Sequence, residues 1–437
     1  MHIVATDIAA AAADADRQLQ ELPPKLRACT AASARVFRGS VREALSAAVA
    51  QPDAEDAFFV ADLGEVQRQF AQWTQLLPRI QPFFAIKCNP DPLVVKLLAR
   101  LGAGFDCASK AELQQVLREG VAPSNIIYAH PCKPASHVRF ARASGVEMMT
   151  FDNADELVKM QQLYPGAKAV LRILTDDSGA LCKLGLKFGA APESTLELLR
   201  TAQRLGVDVA GVSFHVGSGL QDESAFGDAV LRARRVFDEA ESLGMRMTLL
   251  DVGGGFPGRY DHSGLVFSDV ASELSTALDR YFPASSYAHV RVISEPGRYF
   301  VASAFSLAVN IVARRCVNGA DGPAFMYYVN DGVYGSFNCI MFDHQHPMPR
   351  VLTCNGKFVD APAKSAAAAA AGFESSVWGP TCDSADCIVP SDRLPELQVG
   401  DWLIFDTMGA YTTSAASRFN GFKISDVVYI DTERALL

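Results

Sequence analysis
From residue 83 to residue 300 the chain alternates short apolar bursts with longer amphipathic stretches. The bursts read PFFAIK, AGFDCAS, NIIYAHP, EMMTFDN, AVLRIL, GVSFHVGS, TLLDVGGG and VRVISEPGR. Each has the length of a strand buried on both faces, which shows in sequence as a continuous apolar run. The stretches between them carry helix signals. DPLVVKLLARLG has Pro92 in its first turn and Gly102 at its end. SKAELQQVLREG opens on Ser109 and Glu112, a capping box, and stops at Gly120. Eight strand–helix units predict an α/β protein built on a closed (β/α)8 TIM-like barrel. An earlier burst, AFFVADLG, leads into the first helix. Beyond residue 305 the segments FSLAVNIVARRCV, PAFMYYVNDGVYGSFNCIMF, RVLTC, SSVWG and DWLIFDTMGAYT are rich in Val, Phe, Tyr and Thr and broken by Gly, Pro and Asp. That texture predicts an antiparallel β domain. The expected division is a loosely ordered tail over 1–24, a β domain over 25–61 and 305–437, and the barrel over 62–304. The alanine run after Lys364 reads as a surface loop.

Composition narrows the class. A chain of 437 residues is too long for one small core, and 49% hydrophobic with 20% charged residues is ordinary for a globular protein. A net charge of -9 with no Lys/Arg-rich run excludes a general nucleic-acid binder. No apolar run reaches the roughly 18 residues of a membrane span. The Ala-rich start carries Asp7, Asp14 and Asp16, unlike a transit peptide or a secretory signal. The ten cysteines show no C-x-x-C and no zinc spacing, which predicts reduced cytoplasmic thiols and no metal. The last residues, DVVYIDTERALL, include no acidic Pro/Ser/Thr-rich tail, so turnover through such a tail is not expected.

Barrels of this kind work at the C-terminal ends of their strands. Here the strands end, in order, with Lys87, Asp106, His130, Asp152, Arg172, His215 with Ser218, Gly253 to Gly255, and Glu295 with Arg298. Lys87 follows three apolar residues, and a lysine held out of water has a lowered pKa that suits bonding to an aldehyde. Gly253, Gly255 and Gly258 satisfy G-x-G-x-x-G, which after a strand suggests a dinucleotide site. However, Pro257 and GRYDHSG do not open an apolar helix, and the segment is seventh in its series. A phosphate cradle fits better. Glu295 can face a pyridine nitrogen, and Arg298 can complete the phosphate cage. Together these residues describe a pyridoxal 5'-phosphate site.

The segments PFFAIKCNPDPLVVKLLARLGAGFDCASKAEL, FHVGSG, DVGGGFPG, SEPGRYFV, YYVNDGVYGSFNCIMFDH, WGPTCDSAD and DTMGAYTTSAASRFNGF resemble the eukaryotic ornithine decarboxylases. These belong to the alanine-racemase-like barrel class of pyridoxal phosphate enzymes. The resemblance runs from about residue 40 to the C-terminus and implies a homodimer that decarboxylates L-ornithine. It implies that Lys87 binds the cofactor covalently and that His215 stacks on its ring. Asp106 supports Lys87, with Glu112 nearby. Ser218, Gly253, Gly254, Gly255, Arg298 and Tyr411 surround the phosphate, and Glu295 pairs with the ring nitrogen. Asp343 and Asp383 hold the distal amine of the substrate. Cys382 and Asp383 reach the site of the neighbouring subunit, and Lys187 and Asp386 form an ion pair between subunits.

The stretch WGPTCDSADCI carries two cysteines five positions apart, open to a metal, a redox or a single-thiol reading. The resemblance makes Cys382 the general acid that returns a proton to the substrate's Cα, brought in on a moving loop. Ser384 and Ala385 on that loop depart from the family's usual glycine and larger apolar residue. Three readings stay open: a lysine/ornithine or other diamino-acid decarboxylase, a racemase, and a non-catalytic antizyme-inhibitor-like relative. Such relatives lose cofactor or donor residues, whereas here Lys87, His215, Glu295, Arg298, Cys382 and Asp383 are all present. An antizyme-type regulator is a further partner the resemblance suggests.

Overall fold
A computed structural model describes residues 36–51, 53–258, 264–319, 322–359 and 372–433. The expected tail over 1–24 and the alanine run after Lys364 lie outside these residues. The described residues from Phe37 onward gather into one unit.

All eight apolar bursts become strands of one closed parallel barrel. In chain order the barrel strands are Ile80–Ala85, Gly104–Cys107, Ile126–Tyr128, Met148–Phe151, Lys168–Arg172, Asp208–Ser213, Leu249–Asp251 and Arg291–Ser294. Each pairs with the next, and the eighth returns to the first through Val292 against Ile80. Phe83, Ile127, Met148, Val170, Leu249 and Ile293 pack into one buried cluster that plugs the interior. The helices obey their local signals. Asp91 caps Pro92–Leu101 by accepting from Leu93 N and Val94 N at 2.9 and 3.2 Å, and Gly102 closes that helix at φ +93. Ser109 caps Lys110–Arg118, but the Glu112 carboxylate takes the Ala108 amide, not that of Ser109. The expected capping box is thus half formed, with its acid bonded one residue further back.

The second layer is a sheet built around the long strand Phe305–Gly319. Its first half pairs antiparallel with Phe58–Asp62 on one side and Trp402–Phe405 on the other. Its second half pairs antiparallel with Gly322–Val329. Two pairs run parallel, which the β texture alone did not suggest: Phe58–Asp62 with Asp426–Ile430, and Gly322–Val329 with Phe373–Trp378. Parallel neighbours need a long crossover. The first pair uses the whole barrel as its crossover. Leu45, Phe58, Val60, Ala308, Leu352, Trp402, Ile404 and Ile430 form the core of this layer. The sheet's loop after Phe405 lies on the barrel mouth: Tyr411 N bonds to Cys88 O at 3.0 Å, and Asn89 Nδ2 to Gly409 O at 2.9 Å. Among the described residues no helix is long and apolar enough to cross a membrane.

Candidate active site
Strand alternation builds the floor of the mouth. Residues two apart share a face, so above the plug the inward positions continue from Leu249 to Asp251 and from Ile293 to Glu295. Asp106 lies opposite Ala85 on strand one and Ile127 on strand three, in the same layer. Asp106 and Asp251 are wholly buried, and Ser213 nearly so. Burial of such groups is costly unless each finds a partner. Yet Asp106 Oδ1, Asp251 Oδ2 and Ser213 Oγ have none among the described residues.

Lys87 sits in the short turn Ile86–Cys88 that ends strand one. Its neighbours Ile86 and Cys88 are buried, while its own side chain keeps 40% of its surface accessible as part of the cavity wall. Its ammonium is ion-paired with Asp106 Oδ2. The lowered pKa expected from burial is not what the geometry gives. Burial does oppose the charge, but Asp106, Glu295 and Tyr411 outweigh it and raise the lysine above its ordinary value. Glu112 joins this group: burial raises its carboxyl, Asp106 adds to that, and the Ala108 amide and Lys87 oppose.

Glu295 and Asp251 form a second acidic pair. Burial raises Glu295 well above the carboxylate range, and repulsion from Asp251 and Asp106 adds to it, while Lys87 and Arg172 pull it back. Asp251 is pushed up to about 7, first by burial, with the Gly253 amide and Glu295 opposing. Asp251 is a site residue that sequence reasoning missed. Its signal was present: an acid two positions after an inward leucine and two before a triple glycine. Ser213 and Arg172, the last residues of strands six and five, likewise face this floor through the groups they influence or leave unpaired.

The glycine turn follows strand seven. Gly253 sits at φ +65, and a β-carbon there would lie 1.9 Å from Phe214 O. At Gly254 it would lie 2.8 Å from His215 Nε2, and at Gly255 2.6 Å from Gly217 O. Only glycine lets this backbone approach the loop after strand six. The Gly254 and Gly255 amides find no acceptor among the described residues. His215 Nδ1 accepts from Gly217 N at 3.0 Å. Burial, then Arg172, Lys87 and Arg298, hold its pKa well below the ordinary value, so the ring is neutral and its face is available for stacking. Arg298 donates to Ser218 Oγ from Nε and Nη2 at 3.2 and 2.7 Å. The Tyr411 ring lies 5.3 Å from that guanidinium, on a backbone at φ +55. A left-handed tyrosine costs roughly 1–3 kcal/mol, a strain typical of ligand-holding positions.

Other expected residues lie elsewhere. Asp343 enters the site bonded to Arg298, not free. His130 and Asp152 serve the rim: His130 meets Phe188 edge-on and Asp152 accepts the Gly189 amide at 2.9 Å. Cys382 is exposed, its amide bonded to Asn420 Oδ1 at 3.2 Å. Asp383 accepts from the Tyr334 hydroxyl and, at 2.9 Å, from Ala385 N. No described contact ties either residue to Lys87 or the glycine turn of the same chain. Lys187 is exposed beside Phe188. Asp386 is bonded within its own chain. It is 1% exposed, and its carboxylate accepts from Val333 N, Thr381 N and Thr381 Oγ1 at 2.8, 3.0 and 2.7 Å. Asp386 staples its own loop.

The unpartnered oxygens at the floor, the bared amides and the neutral imidazole face suit a flat ring with a ring nitrogen, a phosphate and an aldehyde. Residues 63–302 match the family model of the pyridoxal-dependent decarboxylases, pyridoxal binding domain. The chain is 52% identical over 399 residues to ornithine decarboxylase of Schizosaccharomyces pombe, covering 91% of this chain and 89% of that one. It is also 52% identical over 389 residues to antizyme inhibitor 2 of Xenopus laevis, covering 87% and 82%. Among solved structures, the arginine decarboxylase of Paramecium bursaria Chlorella virus superposes with a TM-score of 0.81 at 34% identity, covering 89% of this chain and all of that one.

Proposed function
The chain belongs to the pyridoxal-dependent decarboxylases, and on that premise we propose that it converts L-ornithine to putrescine and carbon dioxide, a step of polyamine biosynthesis. The observation that carries the reading is the convergence of Lys87, the glycine turn, Glu295 and Arg298 on one mouth. Pyridoxal phosphate, when bound, supplies a sink for the electron pair left as the Cα–carboxylate bond breaks. Lys87 Nζ would hold its aldehyde carbon. Gly253, Gly254, Gly255, Ser218, Arg298 and Tyr411 would hold its phosphate, His215 would pack on the ring, and Glu295 would meet the ring nitrogen.

The chain's own groups manage the protons. Lys87 is kept as an ammonium by Asp106 and Glu295, so a proton must leave Nζ before it can act as a nucleophile. Glu295, raised well above its ordinary range, retains a proton that a ring nitrogen can share. Asp343 and Asp383 would set two carboxylates against the distal ammonium, which selects a diamino acid. Cys382 Sγ would return the proton to Cα. Because Cys382 and Asp383 make no described contact with the mouth of their own chain, we assign them to the mouth of a second copy in a homodimer. We further propose domain borders at residues 61/62 and 304/305, a cytoplasmic location, and an antizyme-type regulator as a partner.

Carbon dioxide release from L-ornithine and L-lysine by wild type, Lys87→Ala and Cys382→Ala tests the reading. Wild type should prefer ornithine. Lys87→Ala should lose activity by at least ~10³-fold, and Cys382→Ala by roughly 10²–10⁴, the range of a general acid. A wild type that releases no carbon dioxide from either amino acid would instead place the chain with the antizyme inhibitor it resembles.

A further inference from the structure
This inference rests on the site reading just given. Arg298 and Asp343, to which different ligands fall, are bonded to each other. Nη1 donates to Oδ2 at 3.1 Å and Nη2 to Oδ1 at 2.8 Å, a two-pronged pair with both residues buried. The same guanidinium holds Ser218 Oγ, and Ser218 follows Gly217, whose carbonyl crowds Gly255. Arg298 therefore stands at the phosphate cradle with one side and holds the Asp343 carboxylate with the other. Among the described residues the other polar partner of the Asp343 carboxylate is Cys182 Sγ, 3.8 Å from Oδ1 and too far to replace the arginine. A guanidinium does not deprotonate in a protein, so its charge is fixed and can only be shared.

A filled site would line up four charges in alternation: phosphate, Arg298, Asp343 and the distal ammonium. With the ends missing, the middle two satisfy each other. A phosphate in the cradle draws donors of Arg298 toward itself and leaves the carboxylate less compensated, which strengthens its hold on an ammonium. An ammonium at Asp343 frees Arg298 in the same way. We propose that the Arg298–Asp343 pair is a shared bridge that makes the phosphate cradle and the diamine pocket bind cooperatively, so that the amine pocket reaches full strength only when the cradle is filled. The effect is reciprocal by necessity, since each ligand must change the other's affinity by one common factor.

The test uses the full-length chain freed of cofactor, with inorganic phosphate and 1,4-diaminobutane as probes, followed by titration calorimetry at constant ionic strength. Saturating phosphate should tighten diamine binding about 5-fold or more, and the diamine should tighten phosphate by the same factor. In Asp343→Asn the diamine should weaken, the mutual factor should fall to one, and phosphate should bind as well as in wild type or better, because no carboxylate holds Arg298 back. Independent binding of the two probes in wild type overturns the proposal. So does an Asp343→Asn chain, folded by its unfolding transition, that loses phosphate together with diamine, since Asp343 is then a buttress for Arg298. If that variant does not fold, the reciprocity in wild type decides alone. A wild type that binds neither probe overturns the reading of the site itself and this inference with it.

Discussion
At Asp251 one carboxylate oxygen accepts the Gly253 amide at 2.9 Å, and the group lies close enough to Glu295 to raise that acid while Glu295 opposes its own rise. One side chain thereby ties the phosphate turn to the ring-nitrogen end of the pocket. Its raised pKa, about 7, has a thermodynamic consequence. In the unfolded chain the carboxyl ionises near ~3.9, so the native protonated form adds stability that is complete below that pH and is lost as pH rises through the folded value. Asp251→Asn keeps an acceptor for Gly253 and cannot ionise. The melting temperature of the cofactor-free variant relative to wild type should therefore climb between about pH 4 and pH 7 and level off above, the window set by the two pKa values. A difference that stays flat across that range would remove the charge argument. At this scale the sequence was legible where strand order alone placed a residue, as for Lys87, Asp106 and Glu295. It was silent where the outcome depends on which charges meet. Lys87 was expected to lose its proton easily, but that ignored two carboxylates on other strands. Asp386 reads like any exposed loop acid until its three donors are seen.

The turn Gly253–Gly255 illustrates an element whose form is set by crowding more than by flexibility. Gly206 provides the comparison, because it ends the helix Thr195–Leu205 at φ +67 with open space where a β-carbon would go. Gly253 has nearly the same φ, yet its β-carbon would fall 1.9 Å from a backbone oxygen. Gly206→Ala should cost about 1–2 kcal/mol, the left-handed penalty alone. Gly253→Ala should cost at least ~2 kcal/mol more, because two backbone segments must separate. Urea unfolding of both variants measures the gap, and equal losses would mean the turn yields easily. The eight strands and their helices were legible because burial on both faces leaves an unmistakable apolar run. The parallel pairs of the sheet were not. They depend on where the chain returns after long excursions, and no local period encodes that.

Over the whole molecule, barrel and sheet divide the proposed chemistry: one carries the lysine and the glycine turn, the other Tyr411, the thiol and both amine-binding acids. If the thiol serves a second copy, two crippled chains should repair each other. Mixing Lys87→Ala with Cys382→Ala in equal amounts should yield about a quarter of wild-type activity, since half the random dimers hold one complete mouth. Activity no higher than that of the separate variants would mean that each chain completes its own site. The same interdependence bears on how the protein can be cut. The matched segment 63–302 looks like a self-sufficient cassette. Excised, it would leave behind Phe58–Asp62, Phe305–Gly319 and the loop by which Tyr411 fastens to Cys88 beside the reactive lysine. A shortened biocatalyst, or a fusion spliced at those borders, would begin with its lid torn off.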